Sequence, residues 1–586
     1  ILHSTFTPGN THTMIAHNTM FDGAVLSWYY GLRAERYWDT QGMSRAIWAQ
    51  CSASLDQLAA RLFPDDKTKR KGKELHSVDG LKDLTDEQNK ILGGYCVQDA
   101  DLTFDCFAQM YPYFPNDELE IIDITLQMFI HPAFVLHRQT IIDYMESLHA
   151  RRAELVKAAG VPKETLSSNK QFSEYLKRVH NIDTPMKESD SNPGEMTMAL
   201  AKDDLAFLSL QAKHPELKRI WEARTTVMSN SEITRGKRLL DHAKVSHINP
   251  NGLIAGPLSY CGAHTKRFSG TNKVNFQNFK RGSPIRHAMY APTGHKVLVR
   301  DLSNIEGRMN AWFHEQKDKL VKYANNVDIY NELATTIYGY PVDRKALKKN
   351  DAGQYLDKKD NVTDNKDHAA KIFDVEGRVG KVAELGLGYQ MGATTFLRQL
   401  LLEGVSTADE AFAHKIVKTW RLLNSKIEKG WKRCESVIFD MARKDLEPYQ
   451  WKCITVEKER LRLPSGLYLT YPGLVRKDNG HEQWFEYWEG DFMKTLYGGL
   501  LDENIIQAIS RVVMTTMMLN ISRRIKQYGA RVVLTVHDEI VVIAPDEHVE
   551  NVDQIMAEEM SRCPDWCNDG ELTLTSEGGH AQNYSK

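Results

Sequence analysis

The chain has 586 residues, a length that predicts about three to five domains and excludes a small binding module. Hydrophobic residues make up 42% and charged residues 26%, which is typical of globular proteins rather than disordered or fibrous ones. The formal net charge of −2 provides no global positive field for a nucleic-acid partner, and no run of about 18 apolar residues is present to span a membrane.

The eight cysteines are scattered without a repeated close pair, which is typical of reduced thiols in the cytoplasm. Cys563 and Cys567 form the one close pair, and the lack of a second pair or a histidine cluster disfavours zinc. The first residues contain neither an initiating Met nor a signal sequence. We therefore expect a fragment whose beginning is lost.

The front half of the chain divides by pattern into three stretches. Residues 1–112 mix short apolar runs with helical patterns and are predicted to form an α/β domain. Residues 113–250 have a helical period and a heavily charged surface, which predicts a mostly helical unit. Residues 261–300 hold eight Lys or Arg and no Asp or Glu. Because a solvated basic surface normally contains acids too, this last stretch favours neutralisation of a nucleic-acid backbone.

The back half contains the strands that carry acidic residues. A strand is predicted over residues 295–300 and ends at Asp301. Helices follow to about residue 440, interrupted by a polar segment that we expect to be solvated, residues 343–367. A long helix is then predicted over residues 503–528, before two β-branched runs at hairpin spacing, residues 532–536 and 540–544.

Two acidic sites stand at the ends of these strands. The hairpin tip is His537-Asp538-Glu539, and an Asp there is common in ordinary surface turns. Asp301 supplies a second carboxylate at a strand end, and two such carboxylates on adjacent strands would hold two divalent ions about 3.5–4 Å apart, as in phosphoryl transfer. Mg²⁺ suits these hard oxygen ligands, with Mn²⁺ as the alternative.

A third set of residues lies on one predicted helix. Arg378, Lys381, Leu385 and Tyr389 fall within an arc of about 80° on its surface. A cationic stripe that ends in an aromatic ring fits a triphosphate lying along the helix, whereas the plainer interpretation is an amphipathic helix with solvated cations. Four glycines between positions 377 and 388 would weaken an isolated helix, so close backbone approach or motion is expected there.

These residues resemble the family A, or polymerase I-like, DNA polymerases. Residues 301–308 (Asp-Leu-Ser-Asn-Ile-Glu-Gly-Arg) are similar to its motif A, residues 381–389 to motif B and residues 536–539 (Val-His-Asp-Glu) to motif C, in the same order and with similar spacing. The sequence of motif B most resembles that of bacteriophage and prophage members. The resemblance covers nearly the whole chain.

The resemblance implies roles for the acidic and nucleotide-facing residues. Asp301 and Asp538 would bind the two metal ions, and Glu539 would be an auxiliary acid near the primer end. Lys381 would contact the incoming triphosphate, and Glu306 would lie under the sugar and exclude a 2′-hydroxyl. In motif B, Tyr389 would lie near the base pair and Leu385 at the sugar, where many members have an aromatic residue. Arg378, just before motif B, would contact the phosphate tail. The family usually has its arginine one position earlier, which here is Gly377.

The same resemblance implies contacts with primer-template DNA. His537 would approach the primer terminus, and the side chains expected at or beside the minor groove are Arg267, Asn275, Gln277, Arg286 and Gln507. Such contacts recognise base-pair shape rather than sequence, because the minor-groove acceptors of the base pairs are nearly equivalent.

The front of the chain resembles a 3′–5′ exonuclease domain. Asn18 and Asp22 would belong to its second motif and Tyr95 and Asp99 to its third, with Asp22 and Asp99 as metal ligands and Tyr95 orienting the attacking water. The 21 residues before Asp22 contain no Asp or Glu, so the first motif is missing. We therefore expect weak or absent proofreading. The plainer interpretation is an Asx turn at Asn18 and a helix-borne Tyr95.

The expected fold is a multidomain α+β right-hand polymerase with an incomplete RNase H-like exonuclease domain. Its expected parts are the exonuclease-like domain 1–112, thumb 113–250, palm 251–315 and 441–586, and fingers 316–440. We expect a cytoplasmic monomer that acts on primer-template DNA and dNTPs, with no membrane partner and no identified processivity partner. The alternatives are an RNA-making or RNA-copying palm polymerase, which Glu306 disfavours, and a non-catalytic DNA-binding protein derived from a polymerase.

Overall fold

The fold is described from a computed structural model of the chain. It covers residues 12–49, 51–72, 80–81, 83–189, 192, 194–245, 252–358, 360–364, 366 and 369–585. Every residue singled out above for metal, nucleotide, DNA or exonuclease chemistry falls within these ranges.

The N-terminal unit pairs two short parallel strands and packs helices against them. Its elements are β1 (Thr13–Ala16), α1 (Thr19–Tyr30), β2 (Arg36–Asp39), α2 (Thr40–Ile47), α3 (Leu55–Leu62) and α4 (Asp86–Met110). Asp39 ends β2 and caps α2, where its carboxylate accepts hydrogen bonds from the backbone of Gln41 and Gly42 at 3.2 and 2.9 Å. The predicted α/β character of this unit is present.

The next stretch is mostly helical, and we call residues 138–242 within it the first helical unit. The elements here are α5 (Asn116–Ile130), β3 (Phe134–Leu136), α6 (Arg138–Ala159), α7 (Lys163–Ser167), α8 (Asn169–His180), β4 (Met186–Glu188), β5 (Met196–Met198), α9 (Leu205–Lys213), α10 (Lys218–Met228) and α11 (Ser231–His242). Residues between Val161 and Val227 form a hydrophobic core of their own around Phe172 and Trp221. This part therefore packs as a separate small body.

The central sheet is built from strands that are far apart in sequence. Short elements come first, namely β6 (Leu253–Ile254), β7 (Leu258–Ser259), β8 (Ser269–Gly270), α12 (Pro284–His287) and β9 (Met289–Tyr290). The sheet itself has the order β18-β19-β10-β20, with β10 (His295–Leu302), β18 (Arg531–Val536), β19 (Glu539–Pro545) and β20 (Ser576–Ala581). All of its pairings are antiparallel, and Asp301 stands opposite Glu539.

Strand β10 is two residues longer than the predicted strand 295–300. Asp301 and Leu302 continue it because β20 pairs along one side and β19 along the other. The backbone N–H of Leu302 donates to the carbonyl of Asp538 at 3.1 Å, which ties the strand end to the hairpin tip. Asp301 therefore lies inside the strand, one residue before its end.

Residues 305–441 form the second helical unit. It contains α13 (Ile305–Phe313), α14 (Lys317–Ala324), α15 (Ile329–Tyr338), α16 (Asp374–Leu387), α17 (Ala393–Leu402), α18 (Glu410–Leu423) and α19 (Ser425–Met441). Most of the unit shares a second hydrophobic core that includes Val379, Phe396 and the stacked rings of Trp420 and Trp431. The described residues of the predicted polar segment 343–367 form no named helix or strand, and their only β-pairing is in isolated bridges.

Residues 449–496 form two small antiparallel sheets that the sequence patterns did not predict. One contains β11 (Tyr449–Trp451), β12 (Ile454–Glu457), β13 (Arg460–Arg462) and β14 (Tyr468–Thr470), and the other β15 (Val475–Asp478), β16 (Gln483–Glu489) and β17 (Phe492–Leu496). These strands are short, and β15 is exposed along its whole length, so they lack a long apolar alternation.

Helix α20 (Gly498–Ile525) runs through the main hydrophobic core and starts five residues before the predicted helix. It begins on two glycines because a Cβ on Gly498 would collide with the Trp431 carbonyl, and one on Gly499 with Gln390. The stretch Gly498–Tyr528 is long and apolar enough to cross a membrane, but 78% of its most apolar window is buried in the protein, as in the core helix of a soluble protein. Helix α21 (Val549–Glu559) packs against it.

The first and second helical units touch each other across the molecule through α9. Phe207 faces the small core of the first helical unit, while Leu205, Leu208 and Ala212 pack against the core of the second, beside α17. Since both units also join the central sheet through the chain, this contact closes a ring of sheet, first unit and second unit.

Candidate active site

A cavity of about 610 Å³ lies where the central sheet, α16 and α20 meet. Both strand-end carboxylates reach it, together with the helix-borne residues and several predicted DNA contacts. The predicted residues that line it are Asp301, Asp538, Glu306, Lys381, Leu385, Tyr389, Arg267, Gln277 and His537. The predicted residues outside its lining are Glu539, Arg378, Asn275, Arg286, Gln507 and the four exonuclease residues.

The two carboxylates are adjacent because the hairpin tip sits beside the end of β10. Asp538 follows the tip residue His537, whose φ of 55° places it in the left-handed region. Burial, first, and the negative charges of Asp301 and Glu539 together raise the pKa of the Asp538 carboxyl to about 6. Arg281 reaches in from the preceding loop, with its Nη2 3.0 Å from the Asp301 carboxylate.

This donor set suits a hard divalent cation. Asp301 and Asp538 offer carboxylate oxygens, and the charges of Asp301 and Glu539 add to burial in raising the pKa of Asp538. Among the described residues, no three or more His, Cys, Asp and Glu side chains are arranged as a metal cage. At nucleotide sites, Mg²⁺ is typically bound by one or two carboxylates, and water and phosphate oxygens fill its remaining coordination positions. The residues present therefore fit the metal.

Glu539 lies behind the cavity, where its carboxylate is held by buried partners. Arg286 forms an ion pair with it at 2.5 Å, and the Tyr584 hydroxyl donates a hydrogen bond to the same oxygen. The Arg286 guanidinium also stacks 3.8 Å above the Tyr584 ring, and its side chain is only 4% exposed. Arg286 therefore holds Glu539 at the hairpin tip in this structure, and its expected position near the duplex stays a prediction.

Helix α16 presents Lys381 and Leu385 to the cavity, and Tyr389 follows its last turn. The Tyr389 hydroxyl donates to Glu306 at 2.9 Å, and Arg267 forms an ion pair with the same carboxylate. Glu306 is thereby fixed at the start of α13. Burial, first, and the charge of Asp502 raise the pKa of Tyr389, so its hydroxyl stays protonated as a donor.

Arg378 points away from this cavity. It forms an ion pair with Asp374 at 3.1 Å and donates to the carbonyl of Glu403 at 2.8 Å, beside the end of α17. The acid four residues earlier on the same helix captures it, which is the favoured spacing for a helical ion pair. Arg378 is thus paired within the second helical unit, and its expected phosphate contact stays a prediction.

The sequence patterns missed several residues that line the cavity. Arg281 belongs to the basic stretch 261–300 and was visible only as one cation among eight. Tyr330 lies in α15, and Arg344 in the loop that follows it. Lys319 is paired with Glu384 on α16. No motif marked these residues, because their places in the cavity depend on tertiary packing, such as that of α15 against α16.

Of the predicted duplex contacts, Gln277 and His537 form one unit. The backbone N–H of His537 donates to Gln277 Oε1 at 2.6 Å, and Gln277 Nε2 donates to the Thr535 carbonyl at 2.8 Å. Asn275 caps a single 3₁₀ turn, where it accepts from the Gln277 backbone at 3.0 Å. Gln507 lies on α20 and donates to Glu503 at 2.9 Å. These contacts hold the hairpin tip against the preceding loop.

The basic stretch 261–300 is only partly a charged surface, which corrects the sequence-based expectation. Lys266 is fully buried, and its Nζ donates to the carbonyl of Ala46 at 2.9 Å. Arg300 is bound by Asp553 through two hydrogen bonds of 2.8 Å. Lys273, Lys280 and Arg281 are exposed. The missing acids are therefore supplied by distant parts of the chain, so the stretch is less basic in three dimensions than in sequence.

The exonuclease-like residues lie on α1 and α4. Asn18 precedes α1 with a φ of 68°, and Asp22 stands in the first turn of that helix. Tyr95 and Asp99 are one turn apart on α4, and Lys71 places its Nζ 3.2 Å from Asp99 and 5.6 Å from the Tyr95 ring centre. A lysine therefore neutralises one of the two expected metal ligands.

Comparisons with known proteins find two family models and several relatives that resemble parts of this chain. The family model described as DNA polymerase family A matches residues 137–351, which include Asp301, and the model described as 3′-5′ exonuclease matches residues 6–113. A DNA polymerase of Bacillus phage SP02 is 29% identical over 317 residues, which are 52% of this chain and 43% of that protein. DNA polymerase I of Chloroflexus aurantiacus is 22% identical over 355 residues, 59% of this chain and 31% of that protein.

The chain thus spans less than half the length of these curated relatives. Among solved structures, the polymerase domain of Pol1 from M. smegmatis, in complex with DNA primer-template and dNTP, covers 100% of this chain and 88% of its own, with a TM-score of 0.65 and 18% identity. The predicted fold class, a multidomain polymerase with an exonuclease-like domain in front, is confirmed. The chain thus resembles DNA polymerase family A over residues 137–351 and a 3′-5′ exonuclease over residues 6–113.

Proposed function

We propose that this chain is a DNA-directed DNA polymerase that extends a primer 3′-hydroxyl with dNTPs. The observation that carries the proposal is that Asp301 and Asp538, 237 positions apart in sequence, line one cavity with Lys381 and Tyr389. If Asp538 belonged to an ordinary surface turn, it would not be expected to share a cavity with a second carboxylate and a cationic helix. The relatives named DNA polymerase, and the related structure that holds primer-template and dNTP, support the same activity.

Asp301 and Asp538 would hold two divalent ions, Mg²⁺ or alternatively Mn²⁺. When bound, such ions stabilise the charge on the attacking and leaving oxygens of an in-line displacement. Lys381 is exposed at the mouth of the cavity, where it would bind the triphosphate. Glu306, held by Arg267 and the Tyr389 hydroxyl, would form the floor under the sugar. Catalysis by these residues is positioning and charge stabilisation rather than covalent chemistry.

The proposed path of primer-template DNA runs past the unit formed by Gln277 and His537. Exposed Lys273 and Lys280 lie on the same stretch and would neutralise backbone phosphates, so that binding weakens with salt. In this assignment residues 113–250 are the thumb, 316–440 the fingers, and 251–315 with 441–586 the palm. All eight cysteines are free, in keeping with a reducing compartment such as the cytoplasm.

The exonuclease-like unit is proposed to contribute little proofreading in this chain. Lys71 occupies the approach to Asp99, and no three-carboxylate cage is present among the described residues. Metal-dependent digestion of a mismatched 3′ end at a rate comparable with extension would contradict this proposal.

The central test replaces each metal-binding carboxylate by its amide. We expect Asp301→Asn and Asp538→Asn to lower Mg²⁺-dependent primer extension by about 100-fold or more, because the charge that holds the ions is lost while the shape is kept. The measurement is single-turnover extension together with the dissociation constant for primer-template. DNA binding should be unchanged, and omission of Mg²⁺ should mimic both variants.

Asp546→Asn is the matched control, because Asp546 is an exposed carboxylate that directly follows strand β19, at its far end from Asp538. It should extend primers at the rate of the unmodified protein. A chain that binds DNA but shows no extension in its unmodified form would favour the alternative, a non-catalytic DNA-binding protein.

A further inference from the structure

Two cations on the helical wall of the cavity stand out because most of the others there are already paired. Arg267 is bound to Glu306, Lys319 to Glu384 and Arg281 to Asp301. Lys381 makes no hydrogen bond or ion pair with the described residues, and Arg344 forms an ion pair with Asp328 through Nε alone, which leaves the other edge of its guanidinium unused. These two cations are the ones left to meet an anionic ligand.

Arg344 reaches the cavity because Gly377 leaves room for it. A Cβ at position 377 would lie 2.5 Å from the Cβ and 3.3 Å from the Cα of Arg344. The base of the Arg344 side chain therefore fills the space that any side chain at position 377 would need. Position 377 is one helical turn before Lys381, so the base of the Arg344 side chain packs about 6 Å from the Lys381 position along α16.

The guanidinium of Arg344 is held in place from one side. Its Nε donates to Asp328 at 2.9 Å, and its carbon lies 4.9 Å from the centre of the Tyr330 ring. The backbone N–H of Arg344 donates to Asn331 at 3.0 Å, which fixes the loop against α15. The terminal nitrogens Nη1 and Nη2 have no hydrogen-bond partner among the described residues. The guanidinium is thus held in one orientation, and its Nη1 and Nη2 edge is unused.

An oriented arginine fork is the side chain best suited to phosphate oxygens, which it binds with two parallel hydrogen bonds. We propose that Arg344 binds the triphosphate tail of the incoming dNTP beside Lys381, and holds the pyrophosphate after transfer. This inference rests on the proposed polymerase function. It assigns the phosphate contact to a residue outside α16, while Arg378, the arginine on that helix, is turned towards Asp374 and Glu403.

The test compares Arg344→Ala with Arg344→Lys in steady-state primer extension. We expect Arg344→Ala to raise the KM for dNTP by about 10- to 100-fold, because a charge-assisted hydrogen bond contributes about 1.5–3 kcal/mol. Arg344→Lys should recover part of the loss, since an ammonium keeps the charge without the fork. Inhibition by pyrophosphate should weaken in parallel.

A second measurement separates phosphate binding from a purely structural role. The complex on a dideoxy-terminated primer is titrated with the next dNTP, and primer-template affinity is measured on the same variants. Arg344→Ala should weaken dNTP binding and leave DNA affinity unchanged. Lys345→Ala, which removes an exposed cation next to it in the same loop, is the control and should change neither.

Three outcomes would overturn the inference. One is an Arg344→Ala variant with an unchanged KM for dNTP. Another is an equal loss of dNTP and DNA binding, which would indicate a folding role. The third is a large KM effect in Arg378→Ala with none in Arg344→Ala. A failure of the unmodified protein to extend any primer would instead refute the polymerase proposal itself, and this inference with it.

Discussion

At the scale of single residues, the cavity is shaped by side chains that hold one another. Glu306 illustrates this, because Arg267 and the Tyr389 hydroxyl bind its two oxygens and leave it no freedom to withdraw. A fixed carboxylate under the sugar would meet a 2′-hydroxyl by steric contact rather than by a hydrogen bond. In the proposed function, sugar discrimination would therefore depend on three residues rather than one.

This arrangement predicts the effect of removing the carboxylate. Glu306→Ala should lower the preference for dNTP over NTP, measured as the ratio of the two kcat/KM values, by about 10-fold or more. The ratio is the readout because freeing Arg267 and Tyr389 will also slow the reaction overall. Glu410→Ala, an exposed glutamate in the first turn of α18, should leave the ratio unchanged. An unaltered ratio in Glu306→Ala would favour an RNA-making or RNA-copying enzyme.

Lys266 is a residue whose burial carries a pH signature. Burial lowers the pKa of its ammonium to about 8, from an ordinary value of 10.5. Below about pH 8 both the folded and unfolded states bind the proton, so the full cost of burying the charge is present. Between about pH 8 and 10.5 the unfolded state binds more protons, and the stability of the folded state rises with pH.

Lys266→Met should therefore stabilise the protein at pH 7, by about 1–2 kcal/mol after the loss of the hydrogen bond to Ala46 is subtracted. The advantage should shrink towards zero as the pH approaches 10. Thermal unfolding midpoints measured at both pH values check this. Lys280→Met, an exposed lysine in the same stretch, should show no such trend. A variant that is less stable than the unmodified protein at pH 7 would contradict the prediction.

At the scale of elements, sequence reasoning succeeded where a pattern is local. The β-branched runs of β18 and β19 and the apolar period of α20 follow from side-chain alternation and predicted both strands and the helix. The last two residues of β10 could not be predicted in this way, because Asp301 and Leu302 become part of a strand only when β19 and β20 flank them. The sheets of residues 449–496 were not predicted for a related reason, because short, partly exposed strands show little alternation of apolar and polar residues.

The same distinction applies to the residues of the site. Asp301, Lys381 and Asp538 sit in recognisable local motifs and were found, although whether they bind metal and nucleotide stays a prediction. Arg344 was invisible because its place depends on Gly377, 33 residues later in the chain. The burial of Arg286 against Tyr584 could not be predicted either, since nothing local distinguishes a buried arginine from a solvated one.

At the scale of the whole molecule, the contact of α9 with the second helical unit closes the ring described above. Leu205, Leu208 and Ala212 form an apolar face that packs against the core of the second helical unit. Such a contact opens more easily than a covalent connection, and it would have to open or be bypassed whenever DNA enters or leaves between the two units.

Leu208→Asp should weaken this contact, because it places a charge against an apolar core. We expect faster dissociation of primer-template, by about tenfold, and fewer nucleotides added per binding event, with little change in the rate of addition once DNA is bound. Off-rates and product-length distributions under a DNA trap measure both effects. Ala206→Asp, on the exposed side of the same helix, is the control. Unchanged off-rates in Leu208→Asp would show that the contact does not retain DNA.

The order of strands in the central sheet has a consequence for how the protein is made. Strand β10 is an inner strand, and both of its neighbours, β19 and β20, come from the last 50 residues of the chain. The ribosome must add 237 residues after Asp301 before it reaches Asp538. At the usual speed of translation that wait is roughly 12–50 s, during which both edges of β10 are bare. The nascent protein therefore depends on chaperones, or on its own early-folding front half, to keep that strand from pairing with the wrong partner.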